Sequence, residues 1–232
     1  MLVPVYNEAD NILPLLGEIE RALADQPLAE IIVVDDGSDD ATPARLHEAK
    51  ALHPRLRVLR HDRRSGQSAA LVTGFRAATG DWIATLDGDG QNDPADLPRF
   101  IAMVAADSGL ALVGGLRQKR HDRLSRRLAS LFANAIRQAV LRDGCTDSAC
   151  GLKLLRREAI LDVPTFDGMH RFLPALFLRQ GHRVAFIAVN HRPRRRGVSK
   201  VTNTGRAMVG ITDLLGVWWL IRRARRPAVS EE

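Results

Sequence analysis

The sequence predicts an α/β fold in which a mainly parallel central sheet is covered by helices on both faces. Three observations carry that prediction. Apolar runs of strand length alternate with segments at helical spacing through the first 115 residues. The 232-residue chain is 45% hydrophobic, enough for one large domain with a full core. The unusual polar residues fall just after the apolar runs, where ligands bind in sheets of this kind.

Taken in order, "LVPVY" (2–6) reads as a short strand with Pro4 near its end. Ile12, Leu15, Leu16, Ile19 and Leu23 then recur at helical spacing, with Asp10 as the expected N-cap. "EIIVVDD" (30–36) is a buried-strand run and "ATPARLHEAKAL" (41–52) a helix. "RVLRH" (57–61) is the third strand, followed by a helix over "QSAALVTGFRAAT" (67–79). "DWIATLD" (81–87) is the fourth strand, "PADLPRFIAMVAA" (94–106) a helix and "LALVGG" (110–115) the fifth strand. Tyr6-Asn7-Glu8, Asp35 to Ser38, His61 to Gly66 and Asp87 to Asp93 then share the carboxyl edge of the sheet.

Beyond residue 116 the pattern changes to basic amphipathic segments. "DRLSRRLASLFANAIRQAVL" sets Leu124, Leu128, Leu131, Phe132, Ala135, Ile136 and Val140 on one face and Arg123, Arg126, Arg127 and Arg137 mostly on the other. A second such helix, about Thr204 to Arg223, carries Met208, Ile211, Leu215 and Trp218 along its stripe and runs into "RRARR". Stripes of this kind pack on a core or, with paired tryptophans beside arginines, lie in a membrane interface. The division expected is a domain over 1–202, split at 115/116 into two halves, and an interfacial basic tail over 203–232.

The net charge of +7 conceals a contrast. Residues 1–110 carry 10 Lys and Arg against 18 Asp and Glu, whereas residues 111–232 carry 24 against 9. The first half is suited to holding a cation and the second to anions such as phosphate or anionic lipid. A nucleic-acid-binding role, suggested by the pI of about 10.3, is opposed by the acidic first half and the lack of interleaved aromatics. Cys145 and Cys150 match no metal or redox spacing and read as reduced thiols of a cytosolic protein. Met1 leads straight into "LVPVYNE" with no signal-peptide pattern, and no apolar run reaches the roughly 18 to 20 residues that span a bilayer.

"LDGDGQNDP" (86–94) crowds Asp87, Asp89 and Asp93 together. An EF-hand loop fails by position, because Gln91, Asn92 and Pro98 stand where Asp or Asn, Gly and Glu are required. A structural turn is one reading, since Asp, Asn and Gly favour turns. The other is a divalent-metal site with open positions for phosphate oxygens, in which Gly88 lets a ligand approach the backbone. Asp93 reads as the turn residue before Pro94.

The segments "VPVYNEADNI", "IIVVDDGSDDAT", "SGQSAALVTGF" and "LDGDGQNDPADLP" resemble the successive motifs of family-two GT-A glycosyltransferases. "GLRQKRHDRLSRRLASLFAN" (115–134), "CTDSACGLKLLRREA" (145–159) and "RRRGVSK" (194–200) resemble the dolichol-phosphate mannose synthase-like, or polyprenyl-phosphate sugar transferase, subgroup. Seven motifs in order cover nearly the whole chain. The resemblance implies a GT-A, Rossmann-like nucleotide-diphospho-sugar transferase fold. It further implies a nucleotide-sugar site of Pro4, Tyr6, Glu8, Val34, Asp36, Gly66, Asp87, Gly88, Asp89 and Gln91. Within that site Asp87, Asp89 and Gln91 hold Mg²⁺ or Mn²⁺.

For the acceptor the resemblance implies a polyprenyl phosphate, with Arg117, Arg127, Ser130, Arg196 and Lys200 (beside Arg194 and Arg195) as its phosphate ligands. Asp87, Asp89 and Asp147 are the expected catalytic carboxylates, Asp147 orienting the acceptor or acting as base toward a hydroxyl. A phosphate acceptor is already ionised, so inversion by one in-line displacement is expected. UDP and GDP donors both fit, and a saccharide or lipid hydroxyl is the alternative acceptor. Two departures from the family pattern stand out: the first strand begins almost at Met1, and no transmembrane helix follows the tail. The expected location is the cytoplasmic face of the membrane, held peripherally.

Overall fold

The computed structural model describes residues 1–117, 135–193 and 204–223, with the side chains of the last segment described from Val209 onward. In chain order the elements are β1 (Leu2–Val5), α1 (Ile12–Ala22), β2 (Ile31–Asp35), α2 (Thr42–Leu52), β3 (Leu56–Arg60), α3 (Gln67–Ala77), β4 (Trp82–Thr85), α4 (Leu97–Ala106) and β5 (Leu110–Arg117). Residues 135–141 are helical. Then follow β6 (Lys153–Arg156), α5 (Arg157–Leu161), α6 (Leu173–Arg179), β7 (Arg183–Val189) and α7 (Thr204–Arg223).

The strands of the described residues form one sheet in the order β3-β2-β1-β4-β6-β5-β7. β6 runs antiparallel to both its neighbours, β4 and β5, while the other pairings are parallel. The period-2 alternation of the strands divides the core between the two faces. Leu2, Ile32, Val34, Ile83, Leu112 and Leu155 pack with Phe75, Ile160, Leu176 and Val217 on one side. Val3, Val5, Ile31, Val33 and Leu154 pack with Leu16, Ile19, Leu46 and Phe100 on the other. Each such fully buried aliphatic side chain is worth about 1.5–3 kcal/mol relative to exposure. Helix α3 lies so close on β1 that a Cβ at Gly74 would come within 2.1 Å of Leu2 Cδ1.

This topology gathers the site. The carboxyl ends of β1, β2, β3, β4, β5 and β7 lie along one edge, and the reversed β6 starts from that same edge. Residues following β1, β2, β3, β4 and β7 and the loop preceding β6 therefore meet there.

The sheet is mainly parallel, as expected, although the spacing does not reveal the reversed strand β6. Three expectations are corrected. The first helix begins at Ile12 with Asn11, not Asp10, as its boundary residue, and no side chain caps it. In the segment 135–141 the faces are reversed: Arg137 is buried while Ile136 and Val140 are exposed. The reason is local pairing, because Arg137 forms a two-pronged ion pair with the fully buried Asp143 carboxylate. In α7 the packed face is Leu214, Val217, Trp218 and Ile221, so Ile211 and Leu215 of the expected stripe point to solvent with Val209 and Trp219. Asp213 on the packed side answers for the rotation, its carboxylate accepting from Arg171 at 2.6 Å. Among the described residues no helix is long and apolar enough to cross a membrane.

Candidate active site

The site is built on four loops that follow the parallel strands β1, β2, β3 and β4. After β1, Asn7 adopts φ 54, its amide and carboxamide bonding Ser38 Oγ and Asp39 of the loop after β2. Asn and Asp tolerate this left-handed conformation better than other side chains. Glu8 is buried, its Oε2 accepting from Asn11 Nδ2 at 2.7 Å and its N–H donating to Thr42 Oγ1 at 2.8 Å. Tyr6 lies half-buried with the Arg64 guanidinium 4.4 Å from its ring centre.

Asp36 organises the third loop. Its two oxygens accept from the N–H groups of Ser65 and Gly66, each at 2.8 Å, and Oδ1 also meets His61 Nδ1 at 2.8 Å. Gly66 sits at φ 95, which a side chain resists, and it delivers the chain into the start of α3. Val34 is corrected: it is wholly buried in the core with Phe75 and Leu2, and presents no surface to a ligand. The alternation of β2 assigns it to the face that α3 covers.

The carboxylate loop follows β4. Asp87 is pushed up to about 6, first by burial and second by the neighbouring Asp89 charge, against the opposing pulls of Lys153, Arg117 and a hydrogen bond from Gln67. That bond, Gln67 Nε2 to Asp87 Oδ1, measures 2.8 Å. Asp87 lies directly against Gly151, where an added Cβ would stand 2.2 Å from Oδ2. Gly88 faces the sheet rather than the cleft, since a Cβ there would meet Val5 Cγ1 at 2.6 Å. Asp89 Oδ1 accepts from Gln91 N–H at 3.1 Å.

The loop is pinned from the far end by the chain after β7. Arg192 N–H donates to the Gln91 carbonyl at 2.8 Å, and Gln91 Nε2 donates to the Arg192 carbonyl at 3.4 Å. Asn92 bridges His191. Asp93 is the turn residue expected, capping the Pro94–Asp96 turn through Ala95 N–H at 3.0 Å. Burial would raise its carboxyl, but Ala95, Arg192 and Asn190 outweigh that and hold it below the usual range.

On the acceptor side the structure brings Arg117 and Asp147 together. Nε and a terminal nitrogen of Arg117 each lie 2.6 Å from a different oxygen of Asp147. Burial alone would lower the Arg117 guanidinium, but the Asp147 carboxylate outweighs it and raises it. Arg127, Ser130, Arg196 and Lys200 lie outside the described residues. Both cysteines are free and buried, and burial raises their thiols above the ordinary range.

Gln67, Gly151, Lys153, His170 and Arg192 reach the site without having been singled out. Lys153 did leave a signal, a lysine inside the apolar run "GLKLL". His170 left none; its place follows from Ser68 Oγ, 2.8 Å from its Nδ1 and more than a hundred residues away in the chain.

A Rossmann-like sheet with acidic, glycine-rich loops at its carboxyl edge is shared by many enzymes, and comparison with known proteins decides among them. The profile described as "Glycosyl transferase family 2" matches residues 1–163. The chain belongs to that family. It is 35% identical to the dodecaprenyl-phosphate galacturonate synthase of Rhizobium johnstonii over 98% of this chain and 68% of that one. It is 36% identical to the undecaprenyl-phosphate 4-deoxy-4-formamido-L-arabinose transferase of Klebsiella pneumoniae, over 86% of this chain and 61% of that one. The chain thus spans about two thirds of the length of these curated relatives. Among solved structures, glucosyl-3-phosphoglycerate synthase from Mycobacterium tuberculosis, in complex with Mn²⁺, UDP-glucose and glycerol 3-phosphate, superimposes with a TM-score of 0.70. That match is 20% identical and covers 95% of this chain and 78% of the other, which establishes the GT-A fold. This family-two glycosyltransferase resembles the polyprenyl-phosphate sugar transferases in sequence.

Proposed function

We propose that this glycosyltransferase moves a sugar from a nucleoside-diphosphate sugar, of the UDP-hexose or GDP-mannose type, to a polyprenyl phosphate, with Mg²⁺ or Mn²⁺. The observation that carries the reading is the Asp87–Asp89 pair at the end of β4, inside a chain whose relatives are named for polyprenyl-phosphate substrates. Asp87 is held high by burial and by its neighbour's charge, an arrangement that a cation relieves. The donor set is all oxygen and sparse, two carboxylates and a side-chain amide. Such a set suits a hard ion that keeps positions for water and phosphate oxygens. Asp87, Asp89 and Gln91 would hold it, and when bound it supplies charge neutralisation of the departing diphosphate.

The chain's own residues then divide the remaining work. Tyr6, Pro4 and Glu8 border the nucleotide side, while Asp36 and Gly66 shape the loop that closes it. Arg117, its Nε and one terminal nitrogen held by Asp147, would offer its remaining N–H groups to the acceptor phosphate. Both Asp147 oxygens are engaged by that guanidinium, which favours a positioning role over that of a base. A phosphate nucleophile requires no base, so a single inverting displacement follows from alignment of acceptor and donor.

Helix α7 supports a peripheral membrane contact at the cytoplasmic face. Val209, Ile211, Leu215 and Trp219 are exposed, and Arg222 and Arg223 stack on Trp218 and Trp219 at 4.4 and 5.5 Å. Apolar and basic side chains in this arrangement suit anionic headgroups.

Transfer of label from UDP- or GDP-[¹⁴C]sugars to undecaprenyl phosphate in detergent tests the reading. Label recovered in the lipid phase is expected; a strict requirement for a saccharide acceptor would assign the hydroxyl-acceptor reaction instead.

A further inference from the structure

Lys153 is a buried cation that none of these steps uses. It lies in the middle of the sheet on β6, opposite Thr85 on one side and Gly114 on the other, and is 5% exposed. A lysine there is costly unless something compensates it. Its Nζ donates to the Cys150 carbonyl, and among the described residues no carboxylate stands at ion-pair distance from it. Three arginines of the same half are, by contrast, paired with an aspartate: Arg117 with Asp147, Arg137 with Asp143, Arg171 with Asp213.

Lys153 also lines a cavity of about 120 Å³ whose wall includes Asp87, with Gln67, Ser148, His170 and Arg171 around it. An ammonium group has three protons to donate, and the Cys150 carbonyl takes one. The cavity opens on the carboxyl edge, where donor sugar and acceptor would meet. Of the anions in the reaction, the donor diphosphate belongs to the metal at Asp87 and Asp89. The acceptor phosphate and any acid carried by the sugar are left.

We propose that this cavity is an oxyanion subsite, in which Lys153 binds either a carboxylate on the donor sugar or the phosphate of the acceptor. The proposal rests on the sugar-transfer reading and assigns it a specificity-determining residue. The plainer alternative is that Lys153 only offsets the Asp87 charge from a distance, and it has its own signature.

The test uses the full chain with Mn²⁺. Calorimetry gives Kd for UDP-glucuronate against UDP-glucose and for GDP-mannuronate against GDP-mannose, and initial rates give KM for undecaprenyl phosphate. Lys153→Met is expected to lose at least tenfold either in the preference for the acidic sugar or in KM for the acceptor. Binding of free UDP or GDP stays within twofold, and Lys153→Arg restores the loss. The first pattern assigns the carboxylate and the second the phosphate. Should Lys153→Met fail to fold, Ser148→Asp sets a competing carboxylate in the cavity, and the same tenfold loss is expected from it. Unchanged readouts with tighter Mn²⁺ binding in Lys153→Met would make the lysine a counter-charge for Asp87 and overturn the subsite. So would a parallel loss for free nucleotide. Wild-type protein that binds no sugar nucleotide of either base would defeat the sugar-transfer reading itself, and the subsite with it.

Discussion

The two halves of the chain treat their buried carboxylates differently. In the first, Asp36 accepts from two backbone N–H groups and meets His61, Asp35 accepts from one N–H with the Arg60 guanidinium at 3.3 Å, and Asp87 accepts from a glutamine. In the second, Asp143 and Asp147 are each clamped by an arginine fork, which cancels their charge and fixes the guanidinium. Among the described residues Asp87 has no basic group at ion-pair distance, which leaves its charge available for a cation, whereas Asp143 and Asp147 aim positive groups. Arg192 crosses between them, pairing with Glu18 and Asp93. The composition alone showed the sign of each half, and the hydrogen bonds show how that sign is put to use.

Breaking the first half's arrangement at its centre has the largest expected effect. Asp89→Ala should lower transfer by about a thousandfold or more, as loss of a group that holds transition-state charge does. Its melting temperature should stay within a few degrees of the parent; full activity would remove the metal assignment.

The second half is tested by Arg137→Ala, which leaves Asp143 buried without its partner. Urea unfolding should show a loss of about 3–5 kcal/mol. The exposed pair Arg183–Asp107 is the control, and Arg183→Ala should cost under about 1 kcal/mol. Equal losses would mean that burial does not distinguish the clamps.

A pH series sharpens the contrast at Asp87. Its carboxyl is raised in the folded chain to about 6, so the metal-free fold binds this proton more tightly than the unfolded chain does. The stability it contributes is full below the ordinary carboxylate value and is lost as the pH rises through about 6. Asp87→Asn should therefore stabilise the metal-free protein at pH 7.5 by up to about 3 kcal/mol and have no effect near pH 4. A gain independent of pH would contradict the cause.

The smallest effect is at the surface of α7. Trp219→Ala should weaken cosedimentation with anionic vesicles by about fivefold, in keeping with one exposed aromatic group. Unchanged binding would place the membrane contact elsewhere.

The first half was legible because its information is local. Strand runs, helical spacing and the residues after each strand all lie within a few positions of one another, and the apolar alternation of β1 and β2 translates directly into two core faces. Val34 marks the limit, since a residue inside a recognised motif was assigned to a ligand although its parity on β2 sends it into the core. The second half depends on contacts distant in sequence. Arg137 looked solvent-facing because its charge was weighed without Asp143, and α7 is turned by Asp213 reaching Arg171. β6 escaped notice because Lys153 interrupts its apolar run, and its reversal brings Lys153 beside Asp87.

The most direct test of the division is calorimetric titration of sugar nucleotide into the metal-free protein with and without Mn²⁺, in parent, Asp89→Ala and Arg117→Ala forms. Mn²⁺-dependent binding is expected in the parent, with loss in Asp89→Ala and retention in Arg117→Ala. Binding that ignores Mn²⁺, or that survives Asp89→Ala and fails in Arg117→Ala, would contradict the division.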